Sequence, residues 1–307
     1  MSTADNDKDD VLNICANCGK GEEGSVSLKG CTACKLVKYC NRDCQITHRP
    51  QHKKACKKRA AELHDEQLFK EVEPEDCPIC MIRLPILESG SVYMSCCGKV
   101  LCKGCIYAPV YDDKGNRLAD TCPFCRTPGP FSDEEMIEMN DKRIKLNDAN
   151  AIYTRGCLYA NGSEGFPQDM DKALELWHRA AELGFTSAYY GIGIAYKNGR
   201  GVEMDEKKAK HYWELAAMGG NVDARHFLGH MEVEAGNIER ALRHYMIAVR
   251  GGFDGSVNFV RMLYSNGDAT KDDYTKALLA RQAYLDEIKG GQRDKAVVCS
   301  GSPYYDG

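Results

Sequence analysis

The chain has 307 residues, enough for about two domains at roughly 150 residues each. Its 43% hydrophobic and 28% charged content excludes wholesale disorder, and a net charge of -4 argues against a general polyanion binder. No apolar run approaches the ~20 residues that span a bilayer, so no membrane association is expected. Cysteine is the outlying residue: 17 in all, seven from Cys15 to Cys56, eight from Cys77 to Cys125, then only Cys157 and Cys299. The polar, acidic Met1–Asp10 does not have the form of an export signal. The thiols are therefore expected to stay reduced, in cytoplasm or nucleus, and clustered CxxC pairs then point to metal rather than disulfides.

In chain order, residues 1–12 are expected to be a disordered tail. Residues 13–59 are dense in cysteine and too poor in large hydrophobes to fold unaided, so metal must supply their core. Residues 60–75 predict a charged helical linker stopped by Pro74. A second cysteine cluster occupies 76–130 and ends in Pro128, Gly129 and Pro130. Residues 131–148 predict a linker helix, with Ser132 as cap and Glu135 completing a capping box.

From 149 to 285 a new period takes over. Lys172-Ala173, Lys208-Ala209, Arg240-Ala241 and Lys276-Ala277 recur at intervals of 36, 32 and 36 residues. Four residues before each alanine stands a helix-capping type: Asp169, Asp205, Asn237 and Asp273. Four residues after come Trp177, Trp213 and Tyr245, until Arg281 breaks the series. The preceding helix of each unit carries small residues, Ala151/Gly156, Ala188/Gly193 and Ala224/Gly229, which let paired helices approach closely. Ser256 and Arg261 take those places in the fourth unit, as befits a terminal cap. This is a helix–turn–helix repeat of about four copies, whose core only stacking can complete. The remaining residues, 286–307, are expected to form a flexible tail. Gly193, Tyr196, Gly199, Gly201-Val202, Asp205, Lys208-Ala209, Trp213, Ala216-Ala217 and Gly219 resemble the Sel-like repeat family, relatives of tetratricopeptide repeats. The resemblance implies an α-solenoid whose concave face binds other proteins.

The first cysteine cluster is Cys15-x2-Cys18, Cys31-x2-Cys34, Cys40-x3-Cys44 and His52-x3-Cys56. Eight ligands in four short pairs make two closed four-coordinate zinc sites. The pattern resembles a MYND-type finger. That resemblance implies interleaved wiring, with Cys15, Cys18, Cys40 and Cys44 on one ion and Cys31, Cys34, His52 and Cys56 on the other. It also implies a module that binds proteins, often proline-containing peptides in extended form. His48-Arg49 replaces the family's His-Trp, and His48 is left out of coordination. Arg49, Lys53, Lys54, Lys57, Lys58 and Arg59 crowd eleven residues. Nuclear import or nucleic-acid binding is one reading; cations solvating a helix beside zinc-thiolate centres is the plainer one, and it is preferred in an acidic chain.

The second cluster is Cys77-Pro78-Ile79-Cys80, Cys96-Cys97, Cys102-x2-Cys105 and Cys122-Pro123-Phe124-Cys125-Arg126. It resembles an all-cysteine RING finger. The resemblance implies Cys77, Cys80, Cys102 and Cys105 on one zinc and Cys96, Cys97, Cys122 and Cys125 on a second, about four ions per chain in all. Lys99 stands where the familiar Cys-Gly-His run ligates. Adjacent Cys96 and Cys97 must then reach one ion without a spacer, or one of them gives way to another ligand. RING-type ubiquitin ligases use no nucleophile of their own; they hold a ubiquitin-charged conjugating enzyme in its reactive arrangement. Their contact residues fall here on Ile79, Pro123 and Arg126, while Ile106 and Tyr107 fill the stretch where a groove aromatic is common.

Elsewhere the signals are weak. His226 and His230, at i and i+4 with Glu234 beyond, could bind metal, but histidines on the repeat surface are the plainer reading. Cys157 reads as a small buried residue and Cys299 as an exposed thiol. No phosphate loop, acid/base pair or hydrolase nucleophile stands out. The fold class is thus multidomain: two small zinc-stabilised α+β modules followed by an all-α helical-repeat solenoid. The expected function is a RING-type ubiquitin ligase, with the MYND finger and repeats recruiting protein partners. The alternative is a non-enzymatic zinc-binding scaffold, and a nucleic-acid role is disfavoured by the acidic balance.

Overall fold

The computed structural model describes residues 13–22, 27–85, 90–107, 121–129 and 132–294. The expected tail at 1–12 and Cys299 lie outside the described residues. The chain divides into two compact units, one up to Lys70 and one from Glu71 onward.

In the first unit, strands β1 (Lys29–Gly30) and β2 (Lys38–Tyr39) pair antiparallel, Lys29 opposite Tyr39. Helix α1 (Arg42–Leu68) follows, capped by Asn41, whose side chain accepts from Cys44 N at 2.8 Å. The buried core is Cys15, Leu28, Cys31, Cys34 and Tyr39. Three of those five are cysteines, so this module has almost no hydrocarbon interior of its own. The linker helix expected over 60–75 is not a separate element: α1 runs through it without a break and stops at Leu68, before Pro74 is reached. Pro50 sits inside α1, where it removes one backbone donor. The basic run is carried on this exposed helix, and Lys58 and Arg59 pair with the helix's own Glu62 and Glu66.

In the second unit, β3 (Ser91–Met94) and β4 (Lys99–Cys102) form a hairpin with Met94 opposite Lys99, and the short α2 (Lys103–Tyr107) follows directly. Helix α3 (Asp133–Lys145) begins at Ser132, whose hydroxyl accepts from Glu135 N. Four helix pairs then stack: α4 (Ala149–Asn161) with α5 (Met170–Glu182), α6 (Thr186–Asn198) with α7 (Glu206–Met218), α8 (Val222–Glu234) with α9 (Ile238–Arg250), and α10 (Asp254–Asn266) with α11 (Lys271–Glu287). No described helix is long and apolar enough to cross a membrane.

The repeat register has a steric cause. A Cβ on Gly156 would meet the Trp177 indole at 2.6 Å, one on Gly193 the Trp213 indole at 2.5 Å, and one on Gly229 the Tyr245 ring at 2.5 Å. Each large ring therefore fills the space that a bare glycine leaves on the partner helix, and the alanines of the same register (Ala151, Ala188, Ala224) have no exposed surface. In the fourth pair glycine and ring are lost together. Arg261 is exposed, and Arg281 instead holds Asp254 through two contacts of 2.7 and 2.8 Å.

The caps follow the expected residues in two of four units. Asp169 accepts from Lys172 N and Asp205 from Lys207 N and Lys208 N. Asn237 stands at the N-cap of α9, but its amide is drawn to Glu232 instead. The fourth cap is Thr270, with Asp273 one turn inside as the reciprocal partner of a capping box. The tail expected from 286 also needs correction. Helix α11 extends to Glu287, Ile288 and Arg293 are buried, and the segment between them packs on the second cysteine module. The residues from 295 onward lie outside the described residues.

Candidate metal centres

Four of the cysteine pairs share one local design. In each, the first cysteine's carbonyl accepts from the residue four positions on: Gly19, Lys35, Met81 and Arg126 donate to Cys15, Cys31, Cys77 and Cys122, all at 2.9 Å. All four of those donors have φ between 55° and 72°. This left-handed residue reverses the chain just past the second cysteine. Both thiols and the intervening backbone N–H groups then face one point. Three of the four are not glycine, so the closed turn outweighs the backbone cost at Lys35, Met81 and Arg126.

These turns and α1 bring together Cys15, Cys18, Cys40 and Cys44, and separately Cys31, Cys34, His52 and Cys56. In the second unit the groups are Cys77, Cys80, Cys102 and Cys105, and Cys96, Cys97, Cys122 and Cys125. Within each group every ligand atom lies within 4.8 Å of the others. A tetrahedral ion with Zn–S bonds of ~2.3 Å requires sulfur–sulfur edges of about 3.8 Å. The close sulfur pairs measure 3.6 Å (Cys18–Cys40 and Cys40–Cys44), 3.7 Å (Cys31–Cys56), 3.8 Å (Cys80–Cys102), 3.9 Å (Cys97–Cys122) and 3.5 Å (Cys96–Cys125). Cys34 Sγ stands 3.1 Å from His52 Nε2. The donor sets and their spacing therefore fit zinc.

Electrostatics point the same way. Burial opposes ionisation of Cys15, yet N–H groups of Cys18, Cys40 and Asn17 outweigh it and bring the thiol down to about 6. Cys31 is brought to about 6 against its burial by the Cys34 N–H and His52, and Cys125 to about 6 against its burial by Thr127. Their neighbours move the other way: burial and the adjacent thiols push Cys40 up to about 12 and Cys56 to about 11. Three or four thiolates this close repel one another, and a divalent cation is what allows all of them to ionise.

Adjacent Cys96 and Cys97 both reach their group. The Met94 carbonyl accepts from Cys97 N and Gly98 N, and Gly98 at φ 71° closes the turn. The two thiols then meet different partners, Cys125 and Cys122. Lys99 is exposed, with Nζ 6.0 Å from the Phe124 ring, and takes no part. His48 is outside the coordination group. Its Nδ1 lies 3.1 Å from Tyr39 Oη, and its ring stacks on His52 at 5.7 Å. Sequence reasoning missed this brace and Thr127, whose hydroxyl lies 3.1 Å from Cys125 Sγ. The only available signal was position, the second residue past a paired cysteine.

Of the expected contact residues, Ile79 is 38% exposed, Pro123 half-buried and Arg126 exposed. Met81 and Phe124, on the same two turns, are also exposed. Of the two repeat histidines, expected on the surface, His230 is half-buried and His226 is not a surface residue. His226 is buried, its Nδ1 lies 2.9 Å from Ser256 Oγ, and its Nε2 lies 3.0 Å from His230 Nε2 in a surround of Phe253, Phe259 and Tyr245. They form no group of three ligands among the described residues. Half-buried Cys157 packs against the core of the first repeats.

Comparison with known families defines the modules. Residues 15–56 match the MYND finger, and residues 149–185, 186–221 and 224–253 match the Sel1 repeat. The chain thus carries a MYND finger and Sel1 repeats, and the paired cysteine clusters between them are consistent with an additional RING-like finger. Both named modules generally mediate protein–protein interactions.

Among individual proteins, the chain is 27% identical over 161 residues to chitin synthase regulatory factor 4 of Schizosaccharomyces pombe, covering 52% of this chain and 25% of that one. It is 27% identical over 125 residues to the E3 ubiquitin-protein ligase RNF182 of Ailuropoda melanoleuca, covering 40% of this chain and 47% of the ligase. The chain therefore spans a quarter to a half of the length of these relatives. A Sel1 repeat protein from Oxalobacter formigenes is 30% identical, with a TM-score of 0.44 over 48% of this chain and 64% of that structure.

Proposed function

We propose that the chain is a RING-type ubiquitin-protein ligase that binds about four zinc ions. On this reading the 76–130 module positions a ubiquitin-charged conjugating enzyme, and the MYND finger and Sel1 repeats recruit protein or peptide partners. The observation that carries the reading is the pair of matching metal turns, Cys77–Cys80 and Cys122–Cys125. They offer Ile79 and Pro123 at the docking positions and Arg126 just past the last ligand. Ile79 and Arg126 are exposed although both turns are otherwise tied down by metal ligands and backbone bonds. Limited similarity to a ubiquitin ligase adds weight.

Zinc in such a module would fix the two turns and supply no chemistry to the transfer itself. This chain's contribution is orientation. Ile79 and Pro123 give the enzyme an apolar seat. Arg126, whose backbone is locked by its N–H bond to the Cys122 carbonyl, presents its guanidinium between enzyme and ubiquitin. A scaffold without ligase activity is the alternative, and the exposed Lys99 in place of a histidine favours it. The test is single-turnover ubiquitin discharge from a panel of charged conjugating enzymes, with Ile79→Ala and Arg126→Ala as metallated controls. Acceleration lost in both variants supports the ligase; no acceleration by the fully metallated wild type overturns it in favour of the scaffold.

A further inference from the structure

Arg293 has 1% of its surface exposed, which makes it one of the largest fully buried side chains of the protein. It follows the last solenoid helix by six positions, yet its guanidinium enters the second cysteine module. Nη1 donates to the Ile288 carbonyl at 2.7 Å and Nη2 to the Ile82 carbonyl at 3.2 Å, and Nη2 stands 4.0 Å from Cys80 Sγ. The fit is close on the module's side as well: a Cβ on Gly104, next to Cys105, would lie 2.7–2.9 Å from Arg293 Cγ, N and Cα. The neighbouring Gln292 places Oε1 3.3 Å from Cys105 Sγ. Once Cys105 is a thiolate, the same amide turned about its last bond presents Nε2–H to the sulfur.

A buried arginine requires an opposite charge, because its guanidinium cannot deprotonate at ordinary pH. Among the described residues no carboxylate pairs with Arg293; its two oxygen acceptors are neutral carbonyls, and its remaining acceptor is Cys80 Sγ. The anionic group in reach is the foursome Cys77, Cys80, Cys102 and Cys105. Four thiolates around one divalent ion leave two negative charges on that centre.

We propose that Arg293, with Gln292, is a positioning residue for this metal centre. The guanidinium balances the tetrathiolate charge, so metal retention by the second finger depends on the segment that follows the repeats. Residues 288–294 then belong to the finger rather than to a tail, while the repeats keep a core that needs no metal. The inference rests on zinc occupying this centre, which the metal count of the wild type tests separately.

The experiment is chelator competition on the full zinc-loaded chain, comparing wild type, Arg293→Met and Arg293→Lys. Released zinc is counted, and the exposed thiols are mapped by alkylation and mass spectrometry. Emission of Trp177 and Trp213 reports solenoid folding in each. Removing a partner next to a metal ligand weakens metal binding by about 10–100-fold. The expected result is that one zinc per chain leaves Arg293→Met at a correspondingly lower chelator concentration. Alkylation should then begin at Cys77, Cys80, Cys102 and Cys105, and Arg293→Lys should recover part of the difference. A release profile identical to wild type overturns the proposal. So does equal behaviour of the lysine and methionine variants, since charge would then play no part. Should Arg293→Met not fold, the lysine variant against wild type carries the same comparison, with an unchanged profile again overturning it.

Discussion

Two glycines of α6, two residues apart, should respond to alanine with opposite sign. At Gly193 a Cβ would sit 2.5 Å from Trp213 Cδ1, and Trp213 is 1% exposed with no room to withdraw. Overpacking of this kind costs about 1–3 kcal/mol, and a rigid indole held on all sides puts the cost near the top of that range. Alanine returns about 1 kcal/mol through helix propensity, so the net loss is about 2 kcal/mol. For a unit of this size that lowers Tm by about 4–8 °C. At Gly191 the nearest atom is Trp177 Cδ2 at 3.4 Å, an ordinary contact, so Gly191→Ala should gain about 0.5–1 kcal/mol. Both tryptophans of the protein, Trp177 and Trp213, lie in the repeats, so urea unfolding followed by their emission reports the solenoid alone. A Gly193→Ala protein as stable as Gly191→Ala would refute the close-approach account of the repeat.

Three further outcomes follow from individual groups. Burial, with Arg225 beside it, holds His244 down at about 3, and burial with His230 beside it holds His226 at about 4, against an ordinary 6.5. Their contribution is therefore complete above pH 6.5 and is lost as pH falls toward 4, by about 1.4 kcal/mol per pH unit for each histidine. A urea midpoint of tryptophan emission that is equal at pH 7 and pH 5 would contradict this. Glu232, 2% exposed, accepts from Lys210 Nζ and Asn237 Nδ2, each at 2.8 Å. Glu232→Ala should cost about 3 kcal/mol in the same unfolding assay, and a cost under about 1 kcal/mol would count against a structural role for the network. Chelation should unfold the cysteine modules and α1, lowering helical circular dichroism in part, while tryptophan emission keeps its folded maximum. Loss of both signals together would mean that the solenoid, too, depends on metal.

The metal turns and the repeat were legible in the sequence because both are local. A CxxC turn is closed by a bond four residues long. The Gly193–Trp213 match repeats a register already visible as Gly156–Trp177. What escaped were features settled by distant partners. Nothing near Arg293 marks it as a neighbour of Cys80, 213 residues earlier. His226 and His230 have the spacing of surface residues, but Tyr245 and, from the next repeat, Phe253 and Phe259 pack against them, so that His226 is buried and His230 half-buried. Asn237 has the right residue type for a cap, but Glu232 competes for its amide. Thr270 and Asp273 exchange roles because either can cap a helix, and sequence spacing alone does not choose between them. Helix α1 runs across the expected boundary between residues 59 and 60 because no breaker intervenes between the last ligand, Cys56, and Leu68.

Zinc counting by native mass spectrometry shows whether metal forms the cores of both cysteine modules. Four ions are expected on the wild-type chain, three after Cys97→Ala opens the fourth site, and still four after Cys157→Ala, which touches none of the groups. A folded wild-type chain carrying two ions or fewer would mean that at least one module folds without metal.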